Sequence, residues 1–166
     1  MSVYVIDSNF FIEAHRTSYP LDVASSFWNK VKQLADDGRI MSIDKVKKEI
    51  YKNEDALKQW CVANLPRDFF VDSSVVMNEY GQVAAWSASR IPPYLPNALA
   101  EFLDADEADS HLVAYVLADT TNRVVVTQEK SEPNKINKGK IPDACMALQV
   151  RRVNVIDMFR ELNERF

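Results

Sequence analysis

Acidic side chains that directly follow predicted strands are the first sign of chemistry in this sequence. Asp7 ends the short β-branched and aromatic run at 3–6, and Thr127 ends a later run of valines, with Glu129 two residues on. Asp109 lies in the first turn of the helix that leads into that later strand. Because ligands of an open α/β sheet bind beyond the carboxyl ends of its strands, we expect Asp7, Asp109 and Thr127 to meet at one edge.

Carboxylates brought together in this way repel one another unless a proton or a cation neutralises them. Mg²⁺ and Mn²⁺ prefer oxygen ligands, and such a site can activate water and stabilise both oxygens of an in-line phosphoryl displacement. Ligands for a softer metal are few, because the chain has 2 histidines and its cysteines, Cys61 and Cys145, lie far apart with no CxxC pattern. The residue types therefore favour Mg²⁺ or Mn²⁺ over a softer metal.

The elements that must position these side chains alternate between strand and helix. Strands are predicted at 3–6, 40–43, 69–71, 123–127 and 153–156. Helices are predicted at 22–38, 44–50, 56–65, 75–88, 97–102, 108–118, 143–150 and 158–162. Asp-Ser-Asn at 7–9 is interpreted as a polar turn. This order predicts an α/β fold with a central parallel sheet of four to five strands and helices on both faces.

Length and composition limit the class of protein. The 166 residues predict a single domain covering 1–166, and 47% apolar residues are enough for one packed core. The net charge of −4 argues against a protein that passively coats nucleic acid, but not against an enzyme that acts on it. No apolar run approaches the roughly 18 residues of a membrane span, and no secretory signal is visible, so a cytoplasmic protein is expected.

Four segments along the chain carry more extended motifs. They are Val-Ile-Asp-Ser-Asn-Phe-Phe-Ile (5–12), Ser-Ile-Asp-Lys-Val-Lys-Lys-Glu-Ile (42–50), Ala-Asp-Ser-His-Leu-Val-Ala-Tyr (108–115) and Val-Val-Thr-Gln-Glu (125–129). In order, they resemble the four motifs of PIN-domain nucleases, the last of which usually reads Thr-x-Asp. The resemblance covers essentially the whole chain and implies a PIN-like fold.

Further features bring the resemblance closest to an incompletely characterised PIN-like family. These are Phe-Trp at 27–28, Thr-x-Glu at 127–129, Lys-Ile-Pro-Asp-x-Cys at 140–145 and the terminal Phe166. The resemblance implies an endoribonuclease that cuts single-stranded RNA with Mg²⁺ or Mn²⁺. It further implies the toxin of a type II toxin–antitoxin pair, with an antitoxin protein as partner and a homodimer as a common assembly.

Carried over by position, the resemblance gives specific roles to site residues. It makes Asp7, Glu49 and Asp109 the metal-binding carboxylates, and Asn9 and Thr127 the groups that orient ligands or water by hydrogen bonding.

The fourth carboxylate is left open between two residues. Glu129 occupies the motif position but is one methylene longer than Asp, and Asp143 opens a predicted helix beside the last strand. Basic segments flank both motif regions, as a phosphate-binding rim requires. The candidates for contact with RNA are Lys45, Lys48, Lys130 and Lys140.

Two other functions remain alternatives. The same fold could serve as a catalytically silent module that binds a partner protein or RNA, and Glu129 in place of Asp favours that interpretation. A phosphatase with Asp7 as nucleophile is disfavoured, because residue 9 is Asn where such an enzyme would use a second aspartate.

Overall fold

The structure, a computed structural model, describes residues 1–166. Its strands are β1 (Val3–Ile6), β2 (Ile40–Ile43), β3 (Phe70–Val71), β4 (Arg123–Val126) and β5 (Arg152–Val153). They form one five-stranded sheet in the order β3-β2-β1-β4-β5, and every neighbouring pair is parallel. The predicted α/β class with a parallel sheet is confirmed.

Nine helices connect and cover the strands. They are α1 (Ser8–Glu13), α2 (Ser25–Asp36), α3 (Asp44–Tyr51), α4 (Ala56–Asn64), α5 (Met77–Ser89), α6 (Pro96–Phe102), α7 (Ala108–Leu117), α8 (Ile141–Leu148) and α9 (Val155–Leu162). From β1 the chain crosses towards β3, and from there it returns through β4 to β5. Because right-handed crossovers that run in opposite directions place their helices on opposite faces, both faces of the sheet are covered.

None of these helices combines the length and the apolar character that crossing a membrane requires.

The central strands and α7 form the interior. Residues Val124, Val125 and Val126 are buried, as expected for a strand covered on both faces. Helix α7 is buried from Ser110 to Val116, because it packs against α5, α8 and the sheet together. A largely buried helix therefore carries the third predicted motif.

Three local predictions are wrong, each because a helix begins at a different residue. Residues 7–9 do not form a turn: Asp7 is the N-cap residue of α1, whose first residue is Ser8. The helix predicted from residue 22 begins only at Ser25, as α2. Strand β5 ends at Val153 and α9 begins two residues later, because the Asn154 side chain accepts a hydrogen bond from Asp157 N at 2.8 Å.

An aromatic cluster centred on Phe27 joins α2 to the carboxyl-terminal part of the chain. The Phe27 ring is fully buried and stacks on Tyr19 with centroids 4.3 Å apart. It also contacts Phe10, Phe159 and Phe166 at 5.9, 6.1 and 5.1 Å. These contacts fix α9 against the face of the sheet that carries α2.

Phe27→Ala is expected to lower the free energy of unfolding by about 3–5 kcal/mol, because it removes a fully enclosed ring and leaves a cavity. Denaturant unfolding at fixed pH measures the change. Phe166→Ala is the matched control, since that ring is 45% exposed and its loss should cost much less. Equal losses for the two variants would contradict this account of the cluster.

Candidate functional site

Asp7 and Thr127 meet where the two central strands end. Ile6 pairs with Val126, and Asp7 N donates to the Val126 carbonyl at 3.0 Å. The Thr127 hydroxyl donates to Asp7 Oδ2 at 2.9 Å, and both side chains are buried. The topology predicted this meeting, because adjacent parallel strands end at the same edge of the sheet.

Ser8 connects this pair to α3. Its hydroxyl oxygen lies 2.5 Å from Glu49 Oε2 and 3.3 Å from Asp7 Oδ1. One hydroxyl proton can serve only one acceptor at a time, so the shorter contact to Glu49 dominates. Sequence reasoning did not select Ser8; its place between Asp7 and Asn9 in the first motif was the available signal.

A pocket of about 150 Å³ opens beside these residues and is strongly acidic. Carboxylate oxygens of Glu49, Glu107 and Asp109 lie within 4.8 Å of one another. Glu101 and Glu129 also line the pocket. The structure thus brings two of the three predicted ligands, Glu49 and Asp109, into one group.

Glu107 is a member of this group that sequence reasoning missed. It is the N-cap residue of α7, and its Oε1 accepts a hydrogen bond from Asp109 N at 3.3 Å. Capping turns its side chain back over the first turn of the helix, next to Asp109. The acidic run before the predicted helix was the signal, but it did not distinguish Glu107 from Asp106, which is exposed and pairs with Lys48.

Burial and mutual repulsion disfavour the ionised forms of these carboxyls. The pKa of Asp7 is raised to about 7, mainly by burial. Repulsion from Glu129 and Glu49 raises this pKa further, whereas the hydrogen bond from Thr127 lowers it. Burial also raises the pKa of Asp109 well above its ordinary value, followed by repulsion from Asp7. The pKa of Glu107 is raised, chiefly by burial.

These donors fit a hard divalent cation. Every candidate ligand is a carboxylate oxygen, and the group is crowded and largely removed from water, so a bound cation would relieve the repulsion. Neither of the 2 cysteines and neither of the 2 histidines lines the pocket, so no softer set of ligands is offered there.

Glu129 lies at the opposite wall of the pocket. Its side chain is 6% exposed, its Oε2 accepts from Ile141 N at 3.0 Å, and its Oε1 lies 4.0 Å from Lys138 Nζ. Its own N–H donates to the Thr127 hydroxyl at 3.1 Å. Glu129, at the fourth motif position, therefore faces the acidic pocket, and one of its carboxylate oxygens also holds the start of α8.

The structure does not bring Asp143 into this pocket. Asp143 Oδ1 accepts from the Ser131 hydroxyl at 2.5 Å, and its Oδ2 accepts from Glu132 N at 3.4 Å. Both carboxylate oxygens therefore hold the loop between β4 and α8. Of the two candidates for the fourth carboxylate, only Glu129 lines the pocket.

The side chain of Asn9 lines the pocket, but the four predicted RNA-contacting lysines do not. Their positions differ: Lys48 pairs with Asp106 at 3.0 Å, Lys140 lies 3.6 Å from Glu132, Lys45 is half-buried, and Lys130 is exposed beyond Glu129.

The cation that does line the pocket is Lys138, which sequence reasoning did not single out. Its neighbour Gly139 fixes the loop there by close approach, since a Cβ at residue 139 would lie 2.4 Å from Phe102 Cδ2. The sequence pattern of this polar segment does not show that the loop packs on Phe102, so it could not predict that Lys138 reaches the pocket.

Comparison with known proteins identifies one family. The model of a family described as "Domain of unknown function (DUF4411)" matches residues 4–166. No curated protein and no solved structure matches the chain. The matched range contains the whole acidic pocket.

Asp7→Asn is expected to stabilise the cation-free protein at pH 8 by about 1–3 kcal/mol, because it removes a buried, repelled charge. The folded protein holds the Asp7 proton up to about pH 7, whereas the ordinary value is 3.8. Wild-type stability therefore falls as the pH rises between these values, and the gain from Asn shrinks as the pH falls towards 4.

Thermal unfolding in a chelator, measured from pH 4 to pH 8, tests this expectation. Asp36→Asn serves as control, because Asp36 is an exposed partner of Lys32, and its effect should be small at every pH. A gain from Asp7→Asn that did not change with pH would contradict the stated cause.

Proposed function

The chain belongs to the DUF4411 family, and we propose that it is a PIN-like, metal-dependent endoribonuclease that cleaves single-stranded RNA with Mg²⁺ or Mn²⁺. The observation that carries the proposal is the group of Glu49, Glu107 and Asp109, whose carboxylate oxygens lie within 4.8 Å of one another. Asp7 supports this group from behind, at the carboxyl edge of the parallel sheet. That edge is where α/β folds bind their ligands.

Residues of this chain would hold the cation and keep its ligands in place. Half-buried Glu49, Glu107 and Asp109 supply oxygens, and Asp7 adds a fourth carboxylate, which is buried and whose charge acts on Asp109. When bound, a divalent cation supplies Lewis acidity and an activated water for in-line displacement at phosphorus.

Neutral donors orient the acids. The Thr127 hydroxyl donates to Asp7, and the Ser8 hydroxyl donates to Glu49. The bond from Thr127 favours the ionised, ligand-competent form of the Asp7 carboxyl. The side chains are therefore held in place before any ion arrives.

Glu129 and Lys138 both face the pocket, where Glu129 can accept a proton and Lys138 provides a positive charge. Ile141 N occupies Glu129 Oε2, so Oε1, 4.0 Å from Lys138 Nζ, is the oxygen that can accept a proton from an attacking water. The Lys138 ammonium can contact a phosphate oxygen that would otherwise face only carboxylates. Together the two groups assist both the nucleophile and the substrate.

The choice of RNA, and of a toxin with an antitoxin partner, follows from the resemblance to PIN-like nucleases. The pocket is consistent with a phosphodiester, because it is small, open and lined almost wholly by polar groups. A homodimer is proposed on the same resemblance.

Glu107→Gln is expected to weaken Mn²⁺ binding at least tenfold, because it removes one charged oxygen from the group. Isothermal titration calorimetry at pH 7.5 measures the affinity. Asp106→Asn is the matched control: it removes the adjacent charge, whose side chain is 72% exposed, and should change the affinity by less than threefold. Absence of Mn²⁺ binding by the wild-type protein at millimolar concentration would refute the proposed metal site.

Asp7→Asn and Asp109→Asn are each expected to reduce cleavage of a labelled single-stranded RNA at least 100-fold in Mn²⁺, because Asp109 belongs to the acidic group and the charge of Asp7 acts on it. Gel electrophoresis of time courses measures the rate, with Asp106→Asn as the variant that retains it. Cleavage that persists in both variants would exclude this site. A wild-type protein that binds Mn²⁺ and RNA without cleavage would instead establish the silent binding module.

A further inference from the structure

A second and larger cavity, of about 650 Å³, adjoins the acidic pocket. We call it the β4–β5 groove; it lies over the carboxyl ends of β4 and β5 and the start of α9. Thr127, Lys130, Arg152 and Ile156 are among the residues that line it, and Glu129 lines both this groove and the acidic pocket. Glu129 therefore connects the groove to the candidate metal centre.

The carboxylates of the β4–β5 groove are already paired. Asp157 lies 2.9 Å from Arg160, and Glu161 accepts from Arg151 at 2.7 Å and from the Tyr4 hydroxyl at 2.5 Å. The third carboxylate that lines the groove, Glu129, lies 4.0 Å from Lys138. Each carboxylate of the groove thus has a basic partner.

Two cations in the same groove have no such partner. Lys130 and Arg152 are exposed, and neither forms an ion pair with a carboxylate. Cations of this kind are the groups that bind the phosphates of a nucleic acid strand. The groove thus carries uncompensated positive charge next to an acidic pocket, although the whole chain is acidic.

On the other side of the pocket, carboxylates outnumber cations. The cavity there is lined by one lysine, Lys52, against five carboxylates, those of Glu49, Glu101, Asp104, Asp106 and Glu107. Lys48, nearby, is occupied by Asp106. A phosphate backbone leaving the pocket on that side would meet carboxylates. The charge distribution therefore favours one exit over the other.

Neutral groups in the groove suit a single strand. Gln128 Oε1 accepts from Val155 N at 3.1 Å, which leaves the amide nitrogen of that side chain as a donor. Ile156 is 39% exposed and offers an apolar surface to a base or sugar. Unpaired bases can use such a surface, whereas bases stacked within a duplex are covered.

We propose that a single-stranded RNA backbone runs along the β4–β5 groove, where Lys130 and Arg152 bind phosphates adjacent to the one in the acidic pocket. The proposal rests on the proposed endoribonuclease function and specifies where its substrate lies. It replaces Lys45 and Lys48 as principal RNA contacts.

The test measures binding of a fluorescently labelled twelve-uridine RNA to the full chain by anisotropy in CaCl₂, with the RNA checked for integrity on a gel. The variant Lys130→Ala/Arg152→Ala is expected to weaken binding at least tenfold. The slope of log affinity against log salt should fall by about 0.7 for each phosphate contact removed. Calorimetry should show unchanged Mn²⁺ affinity, because neither side chain lines the acidic pocket.

The matched control is Lys47→Ala/Arg67→Ala, which removes the same charge from exposed positions outside the β4–β5 groove; its affinity should stay within twofold of wild type. Arg152→Glu provides a second, stronger variant, and thermal unfolding checks that each protein folds.

The outcomes separate the two proposals. If the wild-type protein binds and cleaves RNA while the groove variants behave like the control, the proposed path is overturned and the nuclease function stands. Loss of binding in Lys45→Ala/Lys48→Ala instead of the groove variants would likewise overturn it. A wild-type protein that neither binds nor cleaves RNA removes the function and the path together.

Discussion

Acidic side chains crowded together and partly removed from water are the constraint around which this molecule is arranged. Asp7 and Asp109 come from elements far apart in sequence. Burial is the first cause that raises the pKa of each, and the charge of Asp7 raises the pKa of Asp109 further. Such a group opposes folding unless protons or a cation neutralise it. A fold that retains the arrangement gains no stability from it, and the cation proposed above would account for its retention.

The sheet keeps these acidic side chains close together despite their repulsion. Strands β1 and β4 are central, parallel and buried, and crossovers leave them towards opposite edges. Their carboxyl ends therefore form a crevice that side chains cannot easily leave. Helix α7 presents Asp109 to this crevice from a position enclosed by three neighbours. Backbone geometry, more than hydrogen bonding between the acids, holds the like charges together.

The sequence predicted the parts of this arrangement that follow from strand order. Asp7 and Thr127 were placed together because parallel neighbours end at one edge, and the buried valines of β4 identified the central strand. It did not predict Glu107 or Lys138, because a cap that folds back and a loop that packs on a distant ring depend on tertiary contacts. Asp143 fits its sequence motif equally well, yet the loop between β4 and α8 takes both of its oxygens.

Glu129 connects the acidic pocket to the loop between β4 and α8. One of its oxygens faces the acidic pocket, and the other anchors the first turn of α8 through Ile141 N. The same loop is held at its other end by the Ser131 hydroxyl, which donates to Asp143 in α8. A group that displaced the Glu129 carboxylate on entering the pocket would also loosen the first turn of α8, and amide exchange there would report its arrival.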